Sequence, residues 1–261
     1  MKSWPVYVLA FWLCAVVVAA AFDLAPDAIR LEAILHGPGF AAWLGNDDLG
    51  RNILSRVLAG AQVSMTVAVL VTVITLSFGV TVGLIAGYFG GWVDRLLMQI
   101  TDVFLAFPGI LLAIAFAAVL GPGLNNLILA LCLTSWVGYA RLTRAQALSL
   151  RGRQHVQAAE SLGAGTPRIM LKHMLPLLAA PLVVEATYSI AGLVIAEASL
   201  SFLGLGIQAP QASWGSMLRD GVRYMLVAPH YVLAVGLSLM SLVLAVNVLG
   251  DKLRDALDVR R

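Results

Sequence analysis

Residues 63–87 read VSMTVAVLVTVITLSFGVTVGLIAG, a continuous run without a charged side chain. An α-helix rises 1.5 Å per residue, so about 20 apolar residues cross the roughly 30 Å hydrocarbon layer of a membrane. The run lacks the alternation of apolar and polar residues that a membrane barrel strand shows. This stretch therefore predicts a transmembrane helix, and it decides the fold class of the chain.

Five more apolar stretches surround this one, so the sequence predicts an all-α membrane protein with about six transmembrane helices. The additional stretches are Pro5–Phe22, Leu96–Leu120, Leu124–Leu142, Leu175–Leu200 and Met225–Leu249. The first stretch has a second interpretation, because Lys2, the apolar run and residues 19–21 also resemble a signal peptide. Its length exceeds the usual apolar core of a signal peptide, which favours a retained helix.

The composition of the chain agrees with a membrane protein. Of its 261 residues 60% are hydrophobic and 12% are charged, and the mean hydropathy is +0.90. A soluble domain has roughly 25% charged residues, so a soluble enzyme and a disordered chain are both excluded classes. Cys14 and Cys132 lie far apart in apolar runs and indicate neither a disulfide framework nor a metal cluster.

The basic residues fall mainly on one side of the predicted membrane. If the N-terminus is cytoplasmic, 12 of the 17 Lys and Arg residues lie in cytoplasmic segments. The remaining five, which lie outside, are Arg30, Arg51, Arg56, Arg219 and Arg223. Basic residues concentrate on the cytoplasmic side of membrane proteins, so both termini are predicted to be cytoplasmic. This asymmetry explains the isoelectric point near 9.1 without a nucleic-acid partner.

The predicted organisation follows from these stretches and their orientation. A first transmembrane helix covers residues 1–22, and a periplasmic loop covers 23–62, which begins at Asp23. Five helices cover residues 63–249, and a cytoplasmic tail covers 250–261. The one sizeable cytoplasmic segment between helices lies within residues 149–176.

The sequence holds no catalytic or nucleotide-binding motif. The P-loop pattern G-x-x-x-x-G-K-[ST] is absent, as are H-E-x-x-H, C-x-x-C and G-x-S-x-G. The predicted topology divides the four histidines evenly between the two sides of the membrane (His36, His155, His173 and His230). The chain is therefore predicted to be no enzyme and to bind neither a metal nor a cofactor by itself.

The cytoplasmic segment begins with a predicted helix over residues 154–162. Val156, Ala159 and Leu162 recur at near-helical spacing, which places them on one face of this helix. Gly163 is typical of the left-handed residue that ends a helix. The pattern therefore predicts a short helix followed by a glycine corner.

A second short helix is predicted to follow the corner. Thr166 and Pro167 have the residue types of an N-cap and a first helical residue, and the helix is expected to run to Leu175, before Pro176. Small residues beside basic ones are typical of a docking surface, here Ala158 and Ala159 with Arg151, Arg153 and Arg168. An interfacial helix whose arginines contact anionic lipid is the alternative.

The order of residues in this segment resembles the "EAA" loop of binding-protein-dependent ABC importer permeases. The matching residues are Gln157, Ala158, Ala159, Glu160, Gly163, His173, Leu175 and Pro176. Gln157 stands where the family usually has Glu, and the His-x-Leu-Pro ending is common in the peptide and nickel branch. In that family the loop is the coupling helix, which contacts the ATP-binding subunit.

Six other segments between Leu44 and Asp258 resemble the same branch in the same order. The resemblance is closest to the C-type permease of dipeptide, oligopeptide and nickel systems. The segments are 44–56, 87–95, 101–108, 135–141, 197–206 and 213–215.

The resemblance implies a type I ABC importer permease fold in a bacterial cytoplasmic (inner) membrane. It implies a homologous second permease, two ATP-binding subunits that hold ATP and Mg, and an extracytoplasmic substrate-binding protein. Membrane lipid surrounds such an assembly. The solute stays open from the sequence, with a di- or oligopeptide first and nickel or a metal chelate second.

Three acidic residues lie within or beside predicted helices, where a carboxylate is costly and is often functional. Asp102 and Glu197 occur in segments that match the family, and they are candidates for gating or for the translocation path, together with Phe202. Helix packing is the alternative for them, and the role of Glu185 is left open. If the chain were instead a proton-driven carrier, these acids would transfer the proton.

The outer segments contain candidates for the surface on which a binding protein docks. Asp47, Arg51 and Arg56 either shape that surface or form ion pairs within the loop. Trp214 is a further docking candidate, and its residue type favours an interfacial anchor. Gly79, Gly83 and Gly87 are spaced for close helix packing, either within the chain or with a second permease.

Overall fold

The computed structural model describes residues 3–22 and 24–257, and these residues form helices without a β-sheet. A 3-10 turn at Leu31–Ala33 precedes the second helix, and a π-helical segment at Ile169–Met174 joins the eighth helix to the ninth. In chain order the helices are α1 Trp4–Ala21, α2 Ile53–Phe89, α3 Gly91–Leu105, α4 Gly109–Leu120, α5 Leu124–Ser135, α6 Val137–Arg151, α7 Gln154–Ser161, α8 Thr166–Arg168, α9 Leu175–Phe202, α10 Trp214–Val222 and α11 Pro229–Leu257. Lys2, Asp23, Arg260 and Arg261 lie outside the described residues.

Among the described residues, four helices are long and apolar enough to cross a membrane. They are α1, α2, the continuous helix Thr166–Phe202 and α11. The number rises to five if α3 and α4 together form one bent span. The fold class is confirmed as all-α, whereas the predicted count of six spans is not reached.

The prediction of one continuous helix over Leu96–Leu120 is wrong. The chain bends by 83° between α3 and α4. Pro108 has no backbone N–H to donate, and its ring disfavours the helical conformation at Phe107. The break at this position therefore follows from the proline.

The prediction of one continuous helix over Leu124–Leu142 is also wrong, because the chain breaks at Trp136. The indole N–H of Trp136 donates to the carbonyl oxygen of Leu133 at 3.1 Å. In an uninterrupted helix that carbonyl would accept from the N–H of Val137. The rings of Phe78 and Phe104 pack edge-on against Trp136 and hold it in this position.

Three glycines of α2 bring this helix into direct backbone contact with α6. A methyl group on Gly79 would lie 2.5 Å from the carbonyl oxygen of Trp136, and one on Gly87 would lie 2.6 Å from the Cβ of Ala147. A methyl group on Gly83 would overlap the carbonyl oxygen of Ala140. The predicted close packing is therefore confirmed, and its partner is α6 of the same chain.

Two apolar clusters lie at opposite ends of α2. The Trp214 cluster surrounds the first turns of α2, where α1, α9, α10 and α11 meet; its members include Trp12, Ile53, Leu200, Trp214 and Tyr231. The Val156 cluster surrounds the last turns of α2, where α6, α7 and α9 meet; its members include Leu84, Tyr139, Val156, Ile169 and Leu178. The long helix α2 thus links two separate cores.

The first helix packs into the bundle through Trp12. Its indole N–H donates to the hydroxyl of Ser241 on α11 at 3.0 Å. Its ring packs edge-on against Trp214, with 5.0 Å between the ring centroids. This contact secures α1 against α10 and α11 and extends the Trp214 cluster to the N-terminal helix.

Candidate functional site

The predicted helix and glycine corner are both present after α6. Helix α7 spans Gln154–Ser161, and Gly163 follows it with a φ of +82°. The N–H of Gly163 donates to the carbonyl of Glu160, and the N–H of Ala164 donates to the carbonyl of Ala159. These two bonds form a Schellman motif, which requires the left-handed conformation that glycine adopts without strain.

The helix after the corner differs from the prediction at both ends. Gly165, rather than Thr166, holds the N-cap position, and no side-chain hydrogen bond caps the helix. The helix does not end at Leu175, because the π-helical segment joins α8 directly to α9. Pro176 is the second residue of α9 and follows directly on the π-helical segment. The corner is therefore attached directly to a membrane-spanning helix.

Only part of the face of α7 that was predicted from Val156, Ala159 and Leu162 is buried. Val156 and Ala159 lie in the Val156 cluster, whereas Leu162 is 88% exposed because it follows the last helical residue. The expectation that Ala159 is open to a partner is therefore wrong, although Ala158 is exposed. Gln157, like Ala158, points to the surface.

A hydrogen bond joins α7 to the end of α2. The hydroxyl of Tyr88 donates to Oε1 of Glu160 at 2.8 Å. Tyr88 was not among the predicted site residues, although it lies in one of the segments that match the family. The remaining predicted residues of this element occupy the helix entry: His173 is half-buried, and Leu175 packs against the Val156 cluster.

The structure brings Asp47, Arg51 and Arg56 together in one buried ion-pair cluster. Oδ2 of Asp47 lies 2.7 Å from Nε of Arg51 and 3.4 Å from Nε of Arg56. Arg56 also pairs with Asp27 at 2.9 Å. These residues form the Asp47 cluster, together with the neighbouring Asp48. Of the two predicted roles, ion pairing within the loop is the one that the structure shows.

Backbone contacts fix Asp47 in this cluster. Its Oδ1 accepts from the N–H groups of Leu49 and Arg51, both at 2.9 Å. Asp48 is partly exposed and lies 3.7 Å from Arg51. Burial and the adjacent Asp47 raise the pKa of the Asp48 carboxyl above its usual range, against the opposite effect of Arg51. The two neighbouring carboxyls therefore have different environments.

Trp214 is fully buried, so the predicted interfacial anchor is wrong. Its indole N–H donates to the carbonyl of Val57 at 3.0 Å. Two glycines leave room for the ring and its helix: a methyl group on Gly60 would lie 3.0 Å from the indole, and one on Gly215 would overlap the carbonyl of Ala198. Trp214 therefore does not contact a docking protein in this conformation.

Glu197 is fully buried and is surrounded by serine hydroxyls. Ser64 of α2 donates to its Oε2 at 2.6 Å, and Ser201 donates to its Oε1 at 2.8 Å. Ser213, the N-cap of α10, belongs to the same network. Glu197 thus connects α2, α9 and α10 and has no exposed surface of its own.

The other predicted pathway residues are accessible in the single chain. Asp102 on α3 is exposed, and Phe202 at the end of α9 is 39% exposed. Glu185 lies halfway along the Thr166–Phe202 helix and is half-buried. Within the described part of the chain, none of these three residues belongs to the hydrogen-bond network of Glu197.

The comparison with protein families agrees with this geometry. Residues 79–260 match the family described as binding-protein-dependent transport system inner membrane component. The chain belongs to this family. It is a permease subunit of a binding-protein-dependent ABC importer, which excludes the alternative of a proton-driven carrier.

Curated relatives of this permease are similar over most of their length. The dipeptide transport system permease protein DppC of Alkalihalophilus pseudofirmus is 45% identical over 224 residues, 86% of this chain and 74% of that protein. The glutathione transport system permease protein GsiD is 44% identical in Pectobacterium atrosepticum over 227 residues, 87% of this chain and 75% of that protein. GsiD of Escherichia coli O6:K15:H31 is 46% identical over 223 residues, 85% and 74% of the two chains.

A solved structure shows the same fold. A chain of the MetNI methionine ABC transporter, in an inward-facing conformation, superposes with a TM-score of 0.62. The match covers 77% of this permease and 95% of that chain, at 21% sequence identity. The predicted type I importer permease fold is thereby confirmed.

Proposed function

We propose that this permease forms, with a homologous second permease, the membrane pathway of an ATP-driven importer for dipeptides or related short peptides. Two of its curated relatives are named for dipeptide and glutathione transport, and both names denote short peptides. Two ATP-binding subunits hold ATP and Mg and supply the energy. An extracytoplasmic binding protein delivers the solute, and both termini of the permease face the cytoplasm of a bacterial inner membrane.

The surface of α7 is the observation that carries this proposal. Its buried side rests on the Val156 cluster, and its opposite side exposes Gln157 and Ala158, with Leu162 beyond the last turn. Gln157 and Ala158 are exposed and Leu162 is 88% exposed, so this surface is available to another protein. The Schellman corner at Gly163 fixes the direction of this surface relative to α9. We assign this surface, with Glu160 and the His173–Pro176 entry, to contact with an ATP-binding subunit.

The residues proposed for the pathway differ in their availability. Asp102 and Phe202 have exposed side chains, so they are available to line a pathway shared with the second permease. The side chain of Glu197 is fully buried and instead holds α10 against α9. At the outer loop, the Asp47 cluster shapes a segment whose exposed aromatic residues, Phe40 and Trp43, are available to a binding protein.

The test is a pull-down of the tagged permease in mild detergent, with its partners identified by mass spectrometry. Leu162→Arg places a charge in the proposed contact, so we expect the ATP-binding subunit to be lost from the complex. Phe40→Arg is the matched control, because it makes the same kind of change on an exposed residue of the outer loop. Retention of the ATP-binding subunit by Leu162→Arg, at wild-type yield, would contradict the assignment of α7.

A further inference from the structure

A cavity with both an acidic and a basic residue in its wall lies between α6, α9 and α11. Its volume is about 490 Å³, within the usual range for pockets that hold small molecules. Glu185 and Tyr188 of α9 and Arg254 of α11 supply its polar groups. Leu142 and Pro181 belong to its apolar walls.

The acidic group of this cavity has no partner among the described residues. Glu185 forms neither a hydrogen bond nor an ion pair there. Its Oε1 lies against α6, where a methyl group on Gly138 would be 3.4 Å away. The hydroxyl of the adjacent Tyr139 is buried and makes no well-formed hydrogen bond. Polar capacity is therefore left unused on this side of the cavity.

The basic group is also not neutralised by the acidic one. In the part of the chain that the structure describes, Arg254 forms no ion pair within 4.0 Å. It lies beside the hydroxyl of Tyr188, which donates to Asp251 at 2.6 Å. Asp251 thus has a partner of its own, and the guanidinium remains available to an additional anionic group.

An unpaired carboxylate on a membrane-spanning helix is costly and is often functional, which applies to the half-buried Glu185, whereas Arg254 is exposed at the end of α11. A cavity with one carboxylate, one guanidinium and apolar walls is complementary to a ligand that has an ammonium group and a carboxylate. Apart from the Tyr188 hydroxyl, the remaining walls offer only non-directional contact, so such a cavity does not require a particular side chain of the ligand.

We propose that this cavity binds the zwitterionic backbone of a short peptide, with the ammonium group at Glu185 and the terminal carboxylate at Arg254. The site rests on the proposed peptide transport and specifies its chemistry: both free termini are recognised by the permease itself, the ammonium group on α9 and the carboxylate at the end of α11. It gives the permease a selectivity of its own, in addition to that of the binding protein.

The test measures equilibrium binding of radiolabelled L-alanyl-L-alanine to the assembled permease and ATPase complex in lipid nanodiscs, without the binding protein. The wild-type complex is expected to bind it saturably. N-acetyl-alanyl-alanine and alanyl-alanine amide, which each lack one terminal charge, should compete at least tenfold less well. Equal competition by all three compounds would overturn the proposal and requires no variant.

Two variants assign each charge to its partner. Glu185→Gln should weaken binding of the dipeptide at least tenfold and remove the discrimination against the N-acetyl compound alone. Arg254→Gln should do the same for the amide alone. Glu32→Gln and Arg223→Gln are matched controls at sites away from the cavity and should leave binding unchanged. Glu185→Asp, which keeps the charge, should retain the discrimination if Glu185→Gln does not fold.

A parallel uptake assay separates this proposal from the proposed function. Proteoliposomes that contain the complete importer, with its binding protein, are tested for ATP-dependent uptake of the same dipeptide. Uptake without saturable binding to the nanodisc complex would overturn the zwitterion site and leave the peptide importer intact. Absence of uptake for every peptide tested would instead contradict the proposed function.

Discussion

The two ends of α2 use charged and polar residues in opposite ways. At one end, the Asp47 cluster buries the carboxylate of Asp47 and two guanidinium groups within the chain. At the other end, α7 buries only Val156 and Ala159 and presents its polar side to the surface. The first region is stabilised by contacts within the chain. The second is held by a small apolar contact and leaves its polar side available to a partner.

The difference shows that the residue type alone does not identify a contact surface. Asp47, Arg51 and Arg56 are charged and lie in a loop, yet they are used internally. Ala158 and Leu162 are apolar, yet they are exposed. Substitutions at the first end should therefore change the stability of the permease, and substitutions at the second end should change its partners.

The largest effect is expected from Asp47→Asn. Removing the charge leaves two buried guanidinium groups with only the partly exposed Asp27 and Asp48 as partners, so the loss should approach the roughly 3–5 kcal/mol of a broken buried ion pair. Thermal unfolding of the purified permease, followed by tryptophan fluorescence, should show a large decrease in stability. Asp48→Asn is the matched control one residue away, and an equal loss in both variants would show that the cluster is not centred on Asp47.

The control variant has a pH signature of its own. Because the pKa of Asp48 is raised in the folded state, its ionised form is disfavoured by folding. The resulting loss of stability is absent at a pH below the pKa of Asp48 in the unfolded chain. It is complete at a pH above the pKa of Asp48 in the folded chain. Wild-type stability should therefore fall relative to Asp48→Asn as the pH rises through that interval. A difference that is constant across the interval would contradict this environment for Asp48.

A smaller loss is expected from Gly215→Ala. The added methyl group overlaps the carbonyl oxygen of Ala198, which is backbone and cannot rotate away, so overpacking should cost about 1–3 kcal/mol. In Gly236→Ala the methyl group meets no atom within 4 Å, and stability should stay the same or rise by up to about 1 kcal/mol. The same unfolding measurement compares the two, and similar midpoints would contradict the tight contact of α10 with α9.

The smallest effect on stability is expected from Tyr88→Phe. It removes one exposed hydrogen bond to Glu160, and a bond of this kind contributes about 0.5–1.5 kcal/mol. Because the bond joins α2 to α7, stimulation of ATP hydrolysis by the binding protein should decrease clearly, although the free energy of unfolding changes little. Unchanged stimulation in reconstituted complexes would show that this bond does not transmit the signal.

The sequence predicted the fold class well and the helix breaks poorly. Apolar runs define α1, α2, α9 and α11 because a membrane requires about 20 such residues. Pro108 indicates a helix break. The apolar run around it is nevertheless long enough for a complete span, so it predicted one continuous helix. The break at Trp136 was not readable, because it depends on Phe78 and Phe104 from other helices.

The sequence predicted those parts of the candidate site whose conformation depends on neighbouring residues in the chain. Gly163 and the α7 helix follow from short-range backbone rules, and these predictions are confirmed. Trp214 was misplaced because its burial depends on packing between distant segments, whereas Leu162 is exposed because it follows the last helical residue. Gly60 and Gly215 make the space for the tryptophan, and neither could be linked to it from a single sequence.

Helix α2 has a mechanical consequence for communication across the membrane. Arg56 of the Asp47 cluster and Tyr88 lie on this one helix, about 48 Å apart at 1.5 Å per residue. Backbone contact with α6 along the glycine face stiffens the distal half of this rod. A tilt of about 5° would displace one end by about 4 Å relative to the other over that length. A rigid tilt of α2 would therefore move the Asp47 cluster and the end that contacts α7 in opposite directions.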